Sequence, residues 1–292
     1  MSHQEYFGVG TIEQVRSILG QQKPQSIFVV RGRTSYELSG AGQRLTPSLE
    51  GYNVTPFTDF SSNAKAEDIE KGIISFREHQ CDFVVAVGGG SAIDIAKAIA
   101  ILVDLPGQAE GYILKQAPLK SRTIPLAAIP TTAGTGSEAT HFAAVYINKT
   151  KYSLAHSSLI PDYAIIDPSL TFSLPPYQTA CTGMDALSQA MESYWSIRST
   201  EESKQYAAQA ITLALNYLEK AVLMPDEESR TGMAKAANLA GKAINTSFTT
   251  ACHAISYPIT SYFNIPHGHA VALTLPEMVV YKTRLREFPK VS

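Results

Sequence analysis

A run of three glycines between two apolar segments places the strongest constraint on how this chain folds. The apolar residues 82–87 predict a buried strand, and residues 91–103 carry apolar side chains at three- and four-residue spacing, which predicts a helix. Glycine lets a phosphate approach the backbone closely, and the unpaired N–H groups at a helix start attract its negative charge. The segment therefore predicts a phosphate-binding turn at Gly88, Gly89 and Gly90.

The residues after the glycines refine this prediction. Ser91 and Asp94 have the spacing of a capping box, which would fix where the helix begins. The segment lacks the Gly-x-Gly-x-x-Gly spacing of the common dinucleotide fingerprint, so that geometry is not assumed. A tight turn that binds no ligand is the alternative interpretation.

Short apolar segments alternate with amphipathic ones in the first half of the chain. Strands are predicted at residues 26–30, 52–57, 82–87, 125–130 and 163–167, and helices at 11–19, 64–79 and 91–103. Such alternation predicts a parallel sheet with helices on both faces. Two further β-rich segments lie at residues 141–148 and 152–156.

The pattern changes after Pro176, where four segments of helical period follow with almost no strand signals. They cover residues 177–196, 201–223, 227–245 and 250–263. The change predicts an α/β domain over residues 1–170 and an all-α domain over residues 171–292. From residue 267 onward the sequence predicts no closing helix, and it ends in a polar tail.

Composition excludes several classes of protein. The 292 residues are 45% hydrophobic and 17% charged, which excludes a disordered chain. Lysine and arginine number 24 against 26 acidic residues, with no long basic run, so nucleic acid is not an expected partner. No apolar stretch reaches the ~18 residues of a membrane helix, and the N-terminus lacks signal-peptide character. Three scattered cysteines predict reduced thiols, and so a cytoplasmic protein.

A second polar loop, residues 130–138, follows the strand predicted at 125–130. It reads Pro-Thr-Thr-Ala-Gly-Thr-Gly-Ser-Glu, with two glycines and four hydroxyl side chains. Hydroxyl groups suit hydrogen bonding to a ribose, an amide or a phosphate, and a plain polar loop is the alternative. Because neighbouring parallel strands end at the same sheet edge, we expect this loop and the glycine turn to form one cofactor site.

The helical half supplies candidate metal ligands. Asp185 and Gln189 are four residues apart, which places them on one helix face. His253 lies in an apolar helical segment, and His267 lies in Ile-Pro-His-Gly-His, which ends at His269. One carboxylate and two imidazoles that converge on a cleft suffice for a catalytic metal with an open coordination position. A hydrogen-bonded core residue is the alternative for a single histidine on an apolar face.

Together these segments resemble the iron-containing (group III) alcohol dehydrogenases. The shared motifs, in the family's order, are Gly-Gly-Gly-Ser-x-x-Asp-x-x-Lys, Pro-Thr-Thr-Ala-Gly-Thr-Gly-Ser-Glu, Gly-Met-Asp-Ala-Leu, and a histidine with Pro-His-Gly 14 residues later. The resemblance covers about residues 5–285. It implies a dehydroquinate synthase-like architecture, with the active site between a nucleotide-binding α/β domain and a helical metal-binding domain. Members commonly dimerise and continue through several more helices, so the resemblance implies a homodimer and a C-terminally truncated chain.

The resemblance assigns metal ligands residue by residue. Asp185, His253 and His267 would bind Fe²⁺ or Zn²⁺. The family's fourth ligand is a histidine four residues after the aspartate, where this chain has Gln189. A neutral amide oxygen is a weaker ligand than imidazole, which leaves the metal's identity open. Many members carry a further histidine where this chain has Tyr257.

The resemblance also implies that a dinucleotide lies across both loops. Its pyrophosphate would contact the glycine turn, and its ribose portions would contact the threonines of the second loop. The cofactor positions so implied are Gly88, Gly89, Gly90, Ser91, Asp94, Thr131, Thr132, Thr135 and Lys151. Lys97 also matches the family pattern, and a solvated charge at a strand end is the alternative for Lys151.

The segment after the strand at 26–30 predicts a cofactor preference. In the family an aspartate usually follows this strand and binds the adenosine ribose of NAD, whereas this chain has Gly32 there, between Arg31 and Arg33. Loss of the carboxylate removes repulsion of a 2′-phosphate, and arginines offer it charge-assisted hydrogen bonds. We therefore predict a preference for NADP(H) over NAD(H), with two exposed loop arginines as the alternative.

The chain is thus expected to be a metal-dependent, NAD(P)-linked alcohol dehydrogenase or aldehyde reductase. The metal would polarise the carbonyl oxygen while hydride arrives from the nicotinamide. His269 and Tyr257 are the candidates to relay the proton. Gln189 together with the segment from Pro266 resembles the phosphonoacetaldehyde reductase branch, which reduces a small anionic aldehyde. The alternatives are a glycerol-dehydrogenase-like or dehydroquinate-synthase-like enzyme, and a metal-free nucleotide-binding relative.

Overall fold

The structure, a computed structural model, describes residues 3–287. Its strands are β1 (Gln4–Phe7), β2 (Ser26–Arg31), β3 (Asn53–Phe57), β4 (Phe83–Gly88), β5 (Leu126–Pro130), β6 (Phe142–Ile147), β7 (Thr150–Ala155) and β8 (Tyr163–Ile166). Six of them form a parallel sheet in the order β1-β8-β5-β4-β2-β3. The other two, β6 and β7, pair antiparallel as a separate hairpin.

The α-helices fall into two groups. Six lie between strands: α1 (Gln14–Gln22), α2 (Arg33–Leu38), α3 (Ala41–Leu49), α4 (Ala66–Glu78), α5 (Gly90–Leu102) and α6 (Ala109–Ile113). Six follow the last strand: α7 (Pro176–Trp195), α8 (Glu201–Leu223), α9 (Glu227–Ser247), α10 (Ala251–Phe263), α11 (His267–Ala272) and α12 (Leu275–Glu287). Within the described residues, no helix combines the length and apolar character needed to cross a bilayer.

The sheet is covered on both faces, as predicted. Side chains alternate across a strand, so neighbouring residues of β2 enter different cores. Phe28 packs on one side with residues of α4 and α5, whereas Ile27 packs on the other side with residues of α1 and α3. Both side chains are completely buried. The strand at Gln4–Phe7 was not predicted, because a short, half-polar edge strand has little apolar alternation.

The prediction of an α/β part followed by a helical part is confirmed. Alanines such as Ala190, Ala214 and Ala240 form the buried seam between α7, α8 and α9, where small side chains let the helices approach closely. The proposed domain boundary between residues 170 and 171 lies in the connection from β8 to α7. The expectation of no closing helix is wrong, because α12 continues to Glu287 and buries Leu275. The predicted polar tail, residues 288–292, lies outside the described residues.

Candidate active site

A cleft of about 670 Å³ separates the carboxyl edge of the sheet from the helical part. Its volume is in the range of small-molecule sites. The α/β part contributes Gly90, Ser91, Asp94, Thr135 and Lys151 to its walls, and the helical part contributes Asp185, Gln189, His253, Tyr257 and His267. Candidate cofactor residues and candidate metal ligands therefore meet at one cavity.

The glycine turn joins β4 to α5 as predicted. Gly88 has a φ of 155°, which glycine adopts without strain, and Gly89 is the N-cap of α5. The predicted capping box is wrong, since no side chain caps this helix. The Ser91 hydroxyl instead donates to the Ser62 carbonyl, and the Asp94 carboxylate accepts from other partners. The Ala92 and Ile93 amides donate to the Gly89 carbonyl, so among the described residues the Gly90 and Ser91 N–H groups are the ones left for a ligand.

The second loop contacts the glycine turn directly. The Thr131 amide donates to the Gly88 carbonyl at 3.0 Å, while Thr135 covers Gly90 so closely that an added Cβ there would lie 2.7 Å from its methyl group. Thr132 lies opposite Gly89, 3.4 Å from the position of such a Cβ. The Thr131 hydroxyl is buried and has no hydrogen-bond partner in the described part of the chain. An unpaired polar atom beside an open helix start fits a dinucleotide phosphate or ribose.

The same loop also contacts the helical part of the molecule. A Cβ added to Gly136 would lie 2.5 Å from the Cα atom of Gly241 in α9. A Cβ added to Gly134 would lie 2.8 Å from the Thr182 side chain of α7. Backbone therefore meets backbone at the base of the cleft, a role for these glycines that their sequence pattern did not reveal.

Asp185, His253 and His267 converge from α7, α10 and α11. Their candidate ligand atoms all lie within 4.8 Å of one another. His253 Nε2 is 3.3 Å and His267 Nε2 is 3.9 Å from Asp185 Oδ1. Gly268 lets α11 approach α7, because an added Cβ would lie 1.9 Å from the Cys181 carbonyl oxygen. One carboxylate and two imidazoles at this spacing fit a divalent transition metal.

Gln189 lies one turn after Asp185, as the sequence predicts. Its side chain lines the cleft, and its Oε1 atom is buried without a hydrogen-bond partner among the described residues. A buried carbonyl oxygen left unpaired is costly unless a ligand satisfies it. The donor set therefore fits a metal held by three strong ligands and one weak one.

Glu192 is the main residue that sequence reasoning missed. It is completely buried, and its carboxylate accepts from His253 Nδ1 and from the Cys252 amide. This contact leaves His253 Nε2 facing Asp185, the arrangement in which a carboxylate orients a metal-binding histidine. The sequence could have indicated Glu192, because it follows Asp185 by seven residues and two helical turns place both side chains on the same face of α7.

The pKa values at this centre follow from burial and mutual contacts. Burial opposes the ionised form of Asp185, yet the hydrogen bond to His253 and the nearby histidine charges hold its pKa below the usual value. Burial lowers the pKa of His267 to about 3, so its imidazole is neutral at pH 7. Burial also tends to lower the pKa of His253. The hydrogen bonds from His253 to Asp185 and Glu192 outweigh burial and raise this pKa.

Lys151 lies in β7 and lines the cleft. Its ammonium nitrogen lies 4.2 Å from the centroid of the Tyr257 ring, and burial lowers its pKa against the attraction of Asp185 and Asp94. Lys151 is thus a half-buried charge near the start of β7 that lines the cleft. Tyr257 in turn stacks on His267, with ring centroids 6.1 Å apart. Burial raises the pKa of its phenol.

His269 points elsewhere. Its Nδ1 atom lies 2.9 Å from the Tyr177 hydroxyl, outside the residues that line the cleft. Its role in proton relay stays a prediction, and two positions along α11 separate its imidazole from that of His267.

The three residues at the end of β2 lie beside the glycine turn. The Gly32 amide donates to the Val87 carbonyl at 3.4 Å, which places Gly32 next to the turn. Arg31 lies over the Tyr36 ring, 4.3 Å from its centroid. Arg33 donates to the Thr58 carbonyl at 3.1 Å and is largely exposed.

Phe248 forms part of the cleft wall and was not predicted. It ends α9 with φ 62° and ψ 164°, a conformation that costs energy for any residue with a Cβ. Its ring stacks on Phe142 of β6 with centroids 6.5 Å apart, and Arg198 lies 5.2 Å from its centroid. An aromatic pair thus spans the cleft from one part of the molecule to the other.

Comparison with known proteins agrees with this geometry. A family model described as iron-containing alcohol dehydrogenase matches residues 2–168, and its C-terminal counterpart matches residues 179–290. Long-chain-alcohol dehydrogenase 1 of Geobacillus thermodenitrificans is 35% identical over 280 residues, 94% of this chain and 71% of that protein. Phosphonoacetaldehyde reductase of Streptomyces viridochromogenes is 39% identical over 215 residues, 70% of this chain and 54% of that protein.

Solved structures show the same likeness. Sulfoacetaldehyde reductase from Bifidobacterium kashiwanohense, in complex with NAD⁺, superposes with a TM-score of 0.90 at 37% identity. The superposition covers 94% of this chain and 74% of the reductase chain. With both family models matched in order and the cleft formed between their two regions, the chain belongs to the iron-containing alcohol dehydrogenase family, NAD(P)-linked oxidoreductases of alcohols and aldehydes.

Proposed function

We propose that this chain reduces a small aldehyde with NADPH at a divalent metal held by Asp185, His253 and His267, with Gln189 as a weak fourth ligand. The observation that carries the proposal is the convergence of three ligand atoms within 4.8 Å in a cleft that also exposes the start of α5. Fe²⁺ and Zn²⁺ both suit a site of imidazole and carboxylate ligands.

The residues of the chain divide the work of the reaction. When bound, the metal would polarise the carbonyl oxygen and the nicotinamide would supply hydride. Glu192 orients the His253 ring, and the neutral His267 keeps its lone pair free for a ligand. Tyr257 holds a proton at its phenol oxygen beside the ligands, so we assign it the proton relay in place of His269.

The proposed preference for NADP(H) rests on Gly32 and its neighbours. No carboxylate stands at residue 32 to repel a 2′-phosphate, and Arg33, the first residue of α2, is exposed with its guanidinium 3.5 Å from Asp59. An exposed guanidinium can reach such a phosphate with two parallel hydrogen bonds. NADPH-dependent butanol dehydrogenase of Clostridium saccharobutylicum, 32% identical over 298 residues, uses this cofactor by its name.

The proposed substrate class is a short aldehyde that carries an anionic group. Lys151 supplies a cation within the described lining of the cleft, where burial strengthens its attraction for a substrate anion. The two reductases compared above act on phosphonoacetaldehyde and sulfoacetaldehyde by their names. We further infer a cytoplasmic homodimer: the three cysteines are unpaired, and the family resemblance implies the dimer, which sedimentation analysis would test.

The deciding experiment follows NADPH oxidation by protein purified without oxygen. Phosphonoacetaldehyde would be compared with propanal, with and without added Fe²⁺ or Zn²⁺, for the parent and for Asp185→Asn, a neutral variant of equal size. We expect metal-dependent turnover that favours the anionic aldehyde and disappears in the variant. Turnover by Asp185→Asn with its metal retained would show that this cleft is not the catalytic site. Dinucleotide binding without metal binding would instead support the metal-free relative.

A further inference from the structure

Lys97 is a buried cation outside the machinery described above. It lies in the third turn of α5 and is completely buried. Its ammonium group donates to the Thr140 carbonyl at 2.9 Å, to the Thr140 hydroxyl at 2.9 Å and to the Phe142 carbonyl at 3.0 Å. Burial of a charge is costly, and a sheet and helix pack equally well around an apolar side chain of this size. A cation buried at this cost, with three hydrogen bonds to residues 140–142, points to a positioning role that an apolar residue would not perform.

Asp94, one turn earlier on α5, holds the same stretch of chain. Its Oδ2 atom accepts from the Ala144 amide at 3.0 Å, and its Oδ1 atom accepts from the Ser137 hydroxyl. Lys97 and Asp94 thus fasten residues 137–144 to α5 at both ends and in the middle. Both oxygens of the carboxylate accept hydrogen bonds, which only the ionised form does without loss.

The charges around this pair favour that ionised form. Burial raises the pKa of Asp94, and the Lys97 ammonium is the largest influence that lowers it, with Lys151 as a more distant cation. Lys97 faces Asp94 and Glu138 as nearby carboxylates and Arg122 as a more distant cation. Burial outweighs these contacts, so the pKa of Asp94 lies above its usual value, and the charge of Lys97 opposes that rise at the wall of the cleft.

The fastened stretch connects the two parts of the proposed site. Ser137 lies in the second loop, which contacts the glycine turn, and Phe142 begins the hairpin that carries Lys151 into the cleft. A shift of residues 137–144 would therefore displace the loop and the hairpin together.

We propose, on the basis of the function proposed above, that Lys97 is a positioning residue that locks the second loop and the β6–β7 hairpin to α5 through its own bonds and through the Asp94 carboxylate. It touches neither dinucleotide nor aldehyde. Its contribution is an ordered site and a carboxylate that stays ionised to a lower pH than burial alone would permit.

The test compares Lys97→Met with Ile99→Val, a control that shortens another completely buried side chain of α5. The dissociation constant of NADPH is measured by nicotinamide fluorescence from pH 5 to 8, which does not require metal. It reports the acid limb, the weakening of NADPH binding as the pH falls and Asp94 gains a proton. Hydrogen exchange at residues 137–144 reports the fastening directly. In Lys97→Met we expect faster exchange there and an acid midpoint raised by about one pH unit, with neither effect in the control.

A third variant, Asp94→Asn, separates the two routes by which Lys97 acts. Asp94→Asn should abolish the acid limb of NADPH binding. The double variant with Lys97→Met should show faster hydrogen exchange but no further change in the pH dependence of NADPH binding. If Lys97→Met matches Ile99→Val in both measurements, the proposal is wrong. If Lys97→Met does not fold, the parent and Asp94→Asn decide. If hydrogen exchange at residues 137–144 becomes faster at acid pH in the parent and does the same in Asp94→Asn, the proposal is wrong. A parent that fails to bind NADPH contradicts the proposed function, while the exchange data still test Lys97.

Discussion

The Nδ1 atom of His253 hydrogen-bonds the completely buried carboxylate of Glu192. That carboxylate also accepts from the Thr250 hydroxyl at 2.7 Å and from the Cys252 amide at 2.8 Å, so α10 is attached to α7 at its first turn. The ring orientation of one proposed metal ligand is therefore set by a residue outside the cluster of Asp185, His253 and His267.

Glu192→Gln tests this orientation. The amide can still accept from the backbone, but it no longer carries the charge that favours the Nδ1–H form of the imidazole. We expect metal affinity to fall by about 10- to 100-fold, measured by competition with a chelator. Glu219→Gln, an exposed change on α8, is the control and should leave affinity unaltered. Equal affinities for the two variants would contradict the role of Glu192.

Gln189→His would complete a set of three imidazoles and one carboxylate. Because imidazole is a better donor than an amide oxygen for Fe²⁺ or Zn²⁺, we expect slower metal loss during dialysis against a chelator. Turnover need not rise, since a fuller shell can occupy the position that substrate oxygen requires. Gln189→Leu removes the oxygen without adding a ligand and should lose metal faster than the parent. The reverse order for these two variants would place Gln189 outside the metal site.

Gly32→Asp should shift the cofactor preference toward NAD(H). The backbone at Gly32, with φ −63° and ψ 148°, accepts a side chain, and the nearest obstacle to a Cβ is the rotatable Ser35 hydroxyl. The new carboxylate would repel a 2′-phosphate and accept from a ribose hydroxyl. We expect the ratio of kcat/KM for NADPH to that for NADH to fall about tenfold, some 1.4 kcal/mol. For Gly32→Asn, which has the same shape without the charge, this ratio should fall less. An equal fall would show that the shape of the side chain, and not its charge, decides the cofactor preference.

The pH dependence of stability should reveal the buried Lys97. Its pKa is lowered from 10.5 to about 8 by burial, so the unfolded chain binds more protons than the folded chain between those two values. The free energy of unfolding of the parent should therefore rise relative to Lys97→Met as the pH increases from 8 to 10.5, by about 3 kcal/mol. The control is Lys220→Met. The exposed Lys220 has its pKa raised by its hydrogen bond to Asp226, so its contribution has the opposite sign.

Phe248 offers a test of backbone strain. At φ 62° and ψ 164° glycine rests without strain, whereas any Cβ costs about 1–3 kcal/mol. Phe248→Gly and Phe248→Ala both lose the stacking on Phe142, so the difference between them isolates the backbone. We expect the glycine variant to unfold at higher denaturant concentration than the alanine variant. The usual order, with alanine more stable, would contradict the strained conformation.

The sequence contained much of the fold because its signals were local. The alternation of strand and helix around the glycine turn predicted the parallel sheet, and the four-residue spacing of Asp185 and Gln189 predicted their common helix face. The orientation of the Asp94 side chain could not be predicted, because an aspartate suits both a capping box and a hydrogen bond to a distant hairpin. The contact of His269 with Tyr177 was not predicted either, because its distance from His267 along the chain did not reveal which side of α11 it faces.

The backbone contact between Gly136 and Gly241 has a consequence for the distance that hydride travels. With no side chain between them, the separation of the second loop from α9, which packs against α7, is set by atomic radii, which neither rotamers nor solvent can adjust. The reaction partners would therefore meet across a gap already fixed before they bind. One methyl group at either glycine would wedge this gap open and lengthen the transfer, although it touches no reactant.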